Sequence, residues 1–418
     1  MKPKMIFLSS SFPYGKGEKT FIAPELDKLI QEYDITLISH ADEEDMSDSV
    51  NESTVDPGIS VLRFDCSTTV FQKILWGLLF FIDREGRREF AYIRKGGGPF
   101  IRRMYQSVGF YIMAMKELKQ IQRESFFQPE REMICYSYWY TYYCYAFLRL
   151  KKKYPNLKVI TRTHGIDLYH ERMRGMRQPF KQIMDRQLDG VIFAADYAKD
   201  YYLKHFAENV EDKKYIVCKL GVPESTITHK QTGGLRLLSC AYAVPLKRIE
   251  LIIHALSLLQ EEHIHWIHIG DGECLEQLQV CAKEELSDKD NITYEFKGYL
   301  NSDQIQKVYE EEGINAFITT SSTEGGCPVS IQEAMAHGVP IIGTAVGGIT
   351  EMIHENGFLL PPDPSKEVVA ETISQLYHLE DRTEMEKSSY QIWRNDYNTS
   401  VNLEKLVAAI HYLEGNRS

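Results

Sequence analysis

Short apolar runs rich in β-branched residues recur along the chain, each followed by a glycine- or proline-marked turn and then a segment of helical spacing. Lys4–Ser9 leads through the loop Ser10–Glu18, SSFPYGKGE, into the helically spaced Pro24–Ile30, and Ile35–Ser39 follows as a second strand. Met133–Tyr140 is a strand running into an aromatic loop, Tyr142–Leu150 returns to a helix, and Lys158–Thr163 breaks at His164-Gly165. Asp189–Ala195 and the run from Tyr215 complete this series, and the polar segment Glu224–Gly234 reads as a linker. The alternation then restarts. Leu235–Cys240, Trp266–Gly272, Ile292–Leu300, Ala316–Thr320 and Pro340–Gly343 read as strands, Ile249–Gln260 as a helix, with further helical segments around 365–378 and 401–413. Strands alternating with helices in both halves predict two doubly wound parallel-sheet α/β domains facing across a cleft.

The length supports that division, because 418 residues exceed one ordinary domain and 43% hydrophobic residues can fill two cores. No apolar run reaches the roughly 18 residues of a membrane span. The start lacks the basic, apolar and small-residue regions of a signal peptide, so a cytoplasmic protein is expected. Eight cysteines fall without paired spacing, which predicts free thiols rather than a zinc cluster or disulfides. The net charge of −11 is uneven. Residues 1–220 hold 34 Lys and Arg against 29 Asp and Glu, leaving 14 against 30 for the rest. The acidic second half must bind any phosphate through local geometry and a few placed cations. A pI near 5.7 and the lack of a basic, aromatic stripe exclude general nucleic-acid binding.

Residues 70–115 depart from the alternation. VFQKILWGLLFFI at 70–82 is almost wholly apolar, and Arg84, Arg87, Arg88, Arg94, Lys95, Arg102 and Arg103 then alternate with aromatic and apolar residues. Cations and rings in one helical region suit an interfacial helix on an anionic membrane surface, which would make the protein peripheral on the inner face of a membrane. A core helix followed by a solvated basic face satisfies the same pattern.

The candidate chemistry concentrates in Thr319–Ile353, where Glu324 ends an apolar run, Gly325 and Gly326 free the backbone, and Pro328 and Ser330 open a helix with Glu333 in its first turn. A helix start binds anions through outward N–H groups, and a nearby carboxylate accepts from sugar hydroxyls, so the pair suits a nucleotide sugar. Ser330-x-x-Glu333 also fits a capping box, in which Glu333 merely holds a backbone N–H. Lys247 and Arg248, at a strand-to-helix turn, add charge for a diphosphate, and a solvated pair is the alternative. His164 lies where strands end and substrates dock, able to donate to a sugar or stabilise charge, although a lone histidine is commonly structural.

With these residues in place, the chain resembles the retaining glycosyltransferases of family 4, which have the GT-B fold. FPYGKGEKTFIAPEL, YSYW, TRTHGIDLY, SCAYAVPLKRIELIIHAL, HIGDGE, FKGYL, STEGGCPVSIQEAMAHGVPIIGTAVGGITE and NGFLL occur in family order. The resemblance implies an N-terminal acceptor-binding domain over 1–222, a donor-binding domain over 223–395, and a terminal helix near 396–418 crossing back onto the first. It implies that Lys247 and Arg248 hold the donor diphosphate, that Glu333 bonds the ribose, that Glu324 touches the donor sugar and that His164 lies beside it. Lys297, Gly298 and Leu300 would flank the base, and Gly325, Gly326, Cys327, Pro328, Val329 and Ser330 would form the helix-start cradle. Gly15 and Gly17 would close over the centre, and Tyr138, Trp139, Arg162 and Asp167 would lie on the acceptor side.

The implied activity is transfer of a sugar from a nucleotide diphosphate-sugar to a glycan or lipid-linked acceptor, with retention and in bacterial-type polysaccharide synthesis. Neither a metal nor another cofactor is implied. Two departures qualify the likeness. The two glutamates stand one residue further apart than usual in the family, and Tyr242 occupies a position where the family commonly has arginine. A catalytically inactive GT-B scaffold at a membrane surface is the alternative.

Overall fold

Strands buried on both faces need apolar side chains at nearly every position, and the runs read from the sequence become two all-parallel sheets. The computed structural model describes residues 2–15, 18–42, 55–124, 127, 132–225 and 234–415. The chain forms two compact units, Met1–Cys218 with Leu403–Ser418, and Lys219–Asn402.

The first unit contains β1 (Lys4–Ser9), β2 (Asp34–Ser39), β3 (Ser60–Arg63), β4 (Met133–Ser137), β5 (Leu157–Thr163), β6 (Gly190–Phe193) and β7 (Tyr215–Val217), in the order β3-β2-β1-β4-β5-β6-β7. Its core joins Phe7, Leu37, Tyr136, Ile160 and Ile192 to Leu406, Ile410 and Leu413 of the last helix, Thr399–Gly415. Each such side chain contributes about 1.5–3 kcal/mol of burial.

The second unit contains β8 (Leu235–Cys240), β9 (Ile264–Ile269), β10 (Ile292–Gly298), β11 (Ala316–Thr319), β12 (Ile341–Thr344) and β13 (Gly357–Leu360), ordered β10-β9-β8-β11-β12-β13. Its core centres on Leu237, Ile253, Trp266, Ile318, Val369 and Ile373.

Strand order reverses beside β1 in one sheet and beside β8 in the other. Connections leave in opposite directions there, opening a crevice outside the carboxyl ends of β1 and β4, and another outside those of β8 and β11. Residues 10–15, Glu18 and 138–141 follow the strands at the first crevice, and 241–248 and 320–328 at the second.

The apolar stretch 70–82 is a helix, started by a capping box between Thr69 and Gln72, but it is not a core helix. Of its side chains only Trp76 and Phe80 are buried. Among the described residues, no helix is long and apolar enough to cross a membrane.

Candidate functional site

In the second unit the loop after β8 and the loop after β11 are laced together by backbone contacts. Ser322 donates its N–H to the Leu246 carbonyl at 2.8 Å, and Thr320 Oγ1 donates to the carbonyls of Lys247 and Arg248 at 3.2 and 2.9 Å. Arg248 is held in the left-handed region, φ 48°, and its guanidinium donates to the carbonyls of Thr320, Ser321 and Pro362 and to Asp363. Those four partners make Arg248 a brace for the two loops, with its guanidinium taken up by acceptors of this chain. Lys247 is half-buried, and its Nζ donates to Glu324 Oε1. The pair compensates the charge of both groups.

That helix runs Val329–Ala336, and Pro328, not Ser330, is its N-cap, with no side-chain capping bond. Proline suits the position because its φ is preset and it has no N–H to leave unpaired. The capping-box alternative for Ser330 and Glu333 therefore falls away, and Glu333 is the fifth helical residue rather than part of the first turn. The loop Glu324–Cys327 is pressed from behind by Gly347 and Gly348, where an added Cβ would meet the Glu324 and Gly326 carbonyl oxygens at 1.8 and 2.4 Å. Only glycine permits this approach, and Gly347 has φ 51° as well. Cys327 is buried, and its carbonyl accepts from Gln332 Nε2 at 2.9 Å, which ties the loop to the helix.

Glu333 is 6% exposed, and no cation or hydrogen-bond donor holds its carboxylate among the described residues. Burial alone pushes its pKa from the usual 4.5 to about 7. Native proteins seldom leave a buried carboxyl without donors, and when they do the site is a candidate for a ligand that brings them.

The first unit builds its own cluster at the β1/β4 crevice. Glu18, nearly buried, accepts the backbone N–H groups of Ser10, Ser11 and Phe12 at 3.1, 2.6 and 2.7 Å, and also the Trp139 indole N–H. A carboxylate in a nest of N–H groups fixes the glycine loop onto the aromatic loop. Trp139 and Tyr138 flank the His164 ring, each with centroids 4.6 Å away.

Burial, with Arg162 adding to it, lowers the His164 pKa to about 3, so the ring is neutral at any working pH. The Tyr138 carbonyl accepts from the ring, and Nε2 is buried without a partner. Nδ1 is then the donor and Nε2 a free acceptor. A neutral ring of this tautomer carries an unshared lone pair on Nε2, available to a hydroxyl.

Asp167 accepts the N–H groups of His164 and Tyr140, both at 2.7 Å, and so sets the turn that carries the histidine. Lys181 faces Asp167 from below Tyr140, its Nζ 3.6 Å from that ring and donating to the Tyr140 carbonyl. Burial raises the Asp167 pKa and lowers that of Lys181, each opposed by the other's charge. Arg162 is 1% exposed, with its guanidinium on Glu25 and the Cys218 carbonyl, a position from which it fixes β5 rather than meets solvent.

Glu18 and Lys181 were not singled out from the sequence. The glutamate directly after Gly-Lys-Gly was the one available signal for the first, and Lys181 had none.

Of the other predicted residues, Gly15 is buried and donates to the Ser11 carbonyl at 3.0 Å, and Gly17 lies outside the described residues. Lys297 pairs with Glu295 and Glu312, Gly298 turns with φ 63° and accepts from the Gly270 N–H, and Leu300 is half-buried. Tyr242 is exposed on the loop after β8. Among the described residues, His254, Cys281 and Glu285 are grouped closely enough to hold a metal ion. They lie in the C-terminal halves of the helices Ile249–Leu256 and Leu275–Leu286, at the opposite end of the sheet from Lys247, and a 2.7 Å His254–Glu285 hydrogen bond accounts for the contact.

Residues 236–378 match the family model of the glycosyl transferases group 1. The matched stretch carries Lys247, Glu324 and Glu333, and the His164 cluster lies outside it. The amylovoran biosynthesis glycosyltransferase AmsK of Erwinia amylovora is 28% identical over 170 residues, 38% of this chain and 41% of that protein. The chain spans about half or less of the length of the curated relatives it matches. Among solved structures, the lipopolysaccharide outer core galactosyltransferase WaaB superposes with a TM-score of 0.69 at 13% identity, covering 98% of this chain and 99% of the other. Alr3699/HepE of Anabaena, in complex with UDP and glucose, gives 0.66 at 14% identity, covering 98% and 100%. At that identity the likeness establishes the fold, which is GT-B: two parallel-sheet Rossmann-like domains of seven and six strands.

Proposed function

We propose that the chain is a retaining, metal-independent glycosyltransferase that moves a hexose from a nucleoside diphosphate-sugar to an acceptor hydroxyl in bacterial polysaccharide or glycoconjugate synthesis. The observation that carries this reading is Glu333, a buried carboxylate without donors on the first turns of a helix whose start is itself anion-binding. A nucleotide sugar brings both missing partners, ribose hydroxyls for the carboxylate and a diphosphate for the helix start. Relatives named for amylovoran and O-antigen biosynthesis, and a UDP-bound neighbour of the same fold, agree with it.

As the glycosidic bond breaks, negative charge grows on the departing diphosphate. The first-turn N–H groups have no intrahelical partner and are fixed before reaction, and Lys247 exchanges Glu324 for the phosphate. Glu324, once released, is available to the hydroxyls of the transferred sugar. In the first unit, His164 Nε2 accepts from a sugar hydroxyl while the half-buried Trp139 offers a ring face to a glycan or lipid-linked acceptor.

Thermal-shift screening against UDP- and GDP-sugars tests the donor site, and proton NMR of the product's anomeric centre tests retention. Turnover persisting in chelator is expected. Donor binding with no transfer to any glycan or lipid-linked acceptor would instead favour the inactive-scaffold reading, and a product of inverted configuration would overturn the retaining one.

A further inference from the structure

The helix Val70–Ile82 presents a face that water does not favour. Phe71, Ile74, Leu78 and Ile82 recur at helical spacing and are all exposed, Phe71 at 72% and Ile82 at 70%. The face does not stop at the end of the helix. Phe81 lies 6.2 Å from Phe90 of the next helix, Arg84–Lys95, and Phe90 lies 6.2 Å from Phe100, which opens the third helix, Phe100–Ile121. Beyond Phe100 come Ile101 and Tyr105, each 82% exposed, beside a depression of about 710 Å³ lined with Arg102 and Arg174. An exposed apolar patch of this extent on one unit marks a contact surface.

Charge decides what covers it. Arg87 and Arg94 fall three residues before and four after Phe90, on the same side of their helix, and Arg102 follows Ile101. None of the three enters an ion pair among the described residues. Two other arginines of this region behave differently. Arg103 donates to the carbonyls of Gly96, Gly97 and Gly175 and so holds a turn, and Arg88 lines a separate cavity with Arg149 and Lys152. The unpaired cations therefore border the apolar face.

We infer that the face formed by Val70–Ile82, Phe90 and Phe100–Tyr105 docks on the surface of an anionic lipid bilayer, with the rings and aliphatic chains in the headgroup layer and Arg87, Arg94 and Arg102 on lipid phosphates. A second copy of the chain suits the patch less well, since a self-complementary contact would bring the same arginines together around a dry seam. A bilayer supplies apolar depth and opposite charge at once.

Flotation of the full chain with phosphatidylcholine vesicles, with and without phosphatidylglycerol, tests this. Binding is expected only to the anionic vesicles, weakening as salt is raised. Arg87→Glu, Arg94→Glu and Arg102→Glu together should reduce partitioning by about fivefold per lost cation or more. Phe71→Ser, Ile74→Ser and Leu78→Ser, all at exposed positions, should abolish it even in low salt. Both triple variants should keep the wild-type melting temperature and any nucleotide-induced shift, which separates this surface from the donor site. Equal flotation of wild type and variants, no flotation of the wild type, or a dimer in solution that the serine variant dissociates would each overturn the inference.

Discussion

Replacing Glu333 by glutamine should stabilise the protein while removing its donor site, and the size of the effect follows from the burial of one carboxyl. A carboxyl whose pKa is higher folded than unfolded contributes stability that is complete below the unfolded value and disappears as pH rises through the folded one. For Glu333 the window is 4.5 to about 7. At 1.36 kcal/mol per pH unit, holding the unpaired charge at pH 8 costs about 3 kcal/mol. Glutamine keeps the shape and a comparable polar desolvation but carries no charge, so the variant escapes this cost. For a unit of this size that corresponds to a rise of roughly 6–12 °C in melting temperature at pH 8. The gain should shrink through pH 6 and vanish near pH 4, where the wild-type carboxyl is protonated too. Paired thermal or urea melts of wild type and Glu333→Gln across that range are the assay, and other titrating groups cancel in the difference. A nucleotide sugar should raise the wild-type midpoint and leave the variant's unmoved. A variant less stable at pH 8, or a difference that does not change with pH, would refute an unpartnered buried carboxylate.

Three further outcomes follow from the geometry. Lys247→Ala should lower turnover by about a hundredfold or more with a smaller effect on donor affinity, read as kcat against KM, because the lysine matters most as leaving-group charge develops. The His164 ring should show no protonation in nitrogen NMR between pH 5 and 8, since its pKa sits near 3, and stability should fall below pH 6.5 as the unfolded histidine takes up its proton; a titration midpoint near 6 would refute the neutral acceptor. Gly347→Ala should cost more than about 1 kcal/mol through its left-handed φ alone and weaken donor binding, because the new Cβ displaces the Glu324 carbonyl; unchanged affinity in calorimetry would show that the loop does not need its backing.

What could be read from the sequence and what could not divide along one physical line, the range over which a residue finds its partners. Strands such as Lys4–Ser9 and Leu235–Cys240 were legible because parallel strands covered on both faces spell continuous apolar runs, and the turns between them need glycine and proline locally. Lys247 stood out because it sits at a strand-to-helix turn, and Glu333 because the Gly325-Gly326 turn and Pro328 ahead of it mark a helix start. Glu18 did not, since its partners become a nest only when the loop folds back to present three N–H groups to one carboxylate. Lys181 lies 41 residues from the Tyr140 carbonyl it reaches, with nothing local to announce the contact. The partners of two arginines were hidden for the same reason. Arg248 and Arg103 meet acceptors far along the chain, the carbonyls of Ser321 and Pro362 with the Asp363 carboxylate for the first and the Gly175 carbonyl for the second, which nothing local announces. The helix Val70–Ile82 is the mirror case: its spacing defines an apolar face, but whether the fold covers that face depends on where Trp76 and Phe80 are drawn in. They take the inner side and leave Phe71, Ile74 and Leu78 outward, so the choice between a core helix and an interfacial one is made by tertiary packing that period alone does not encode.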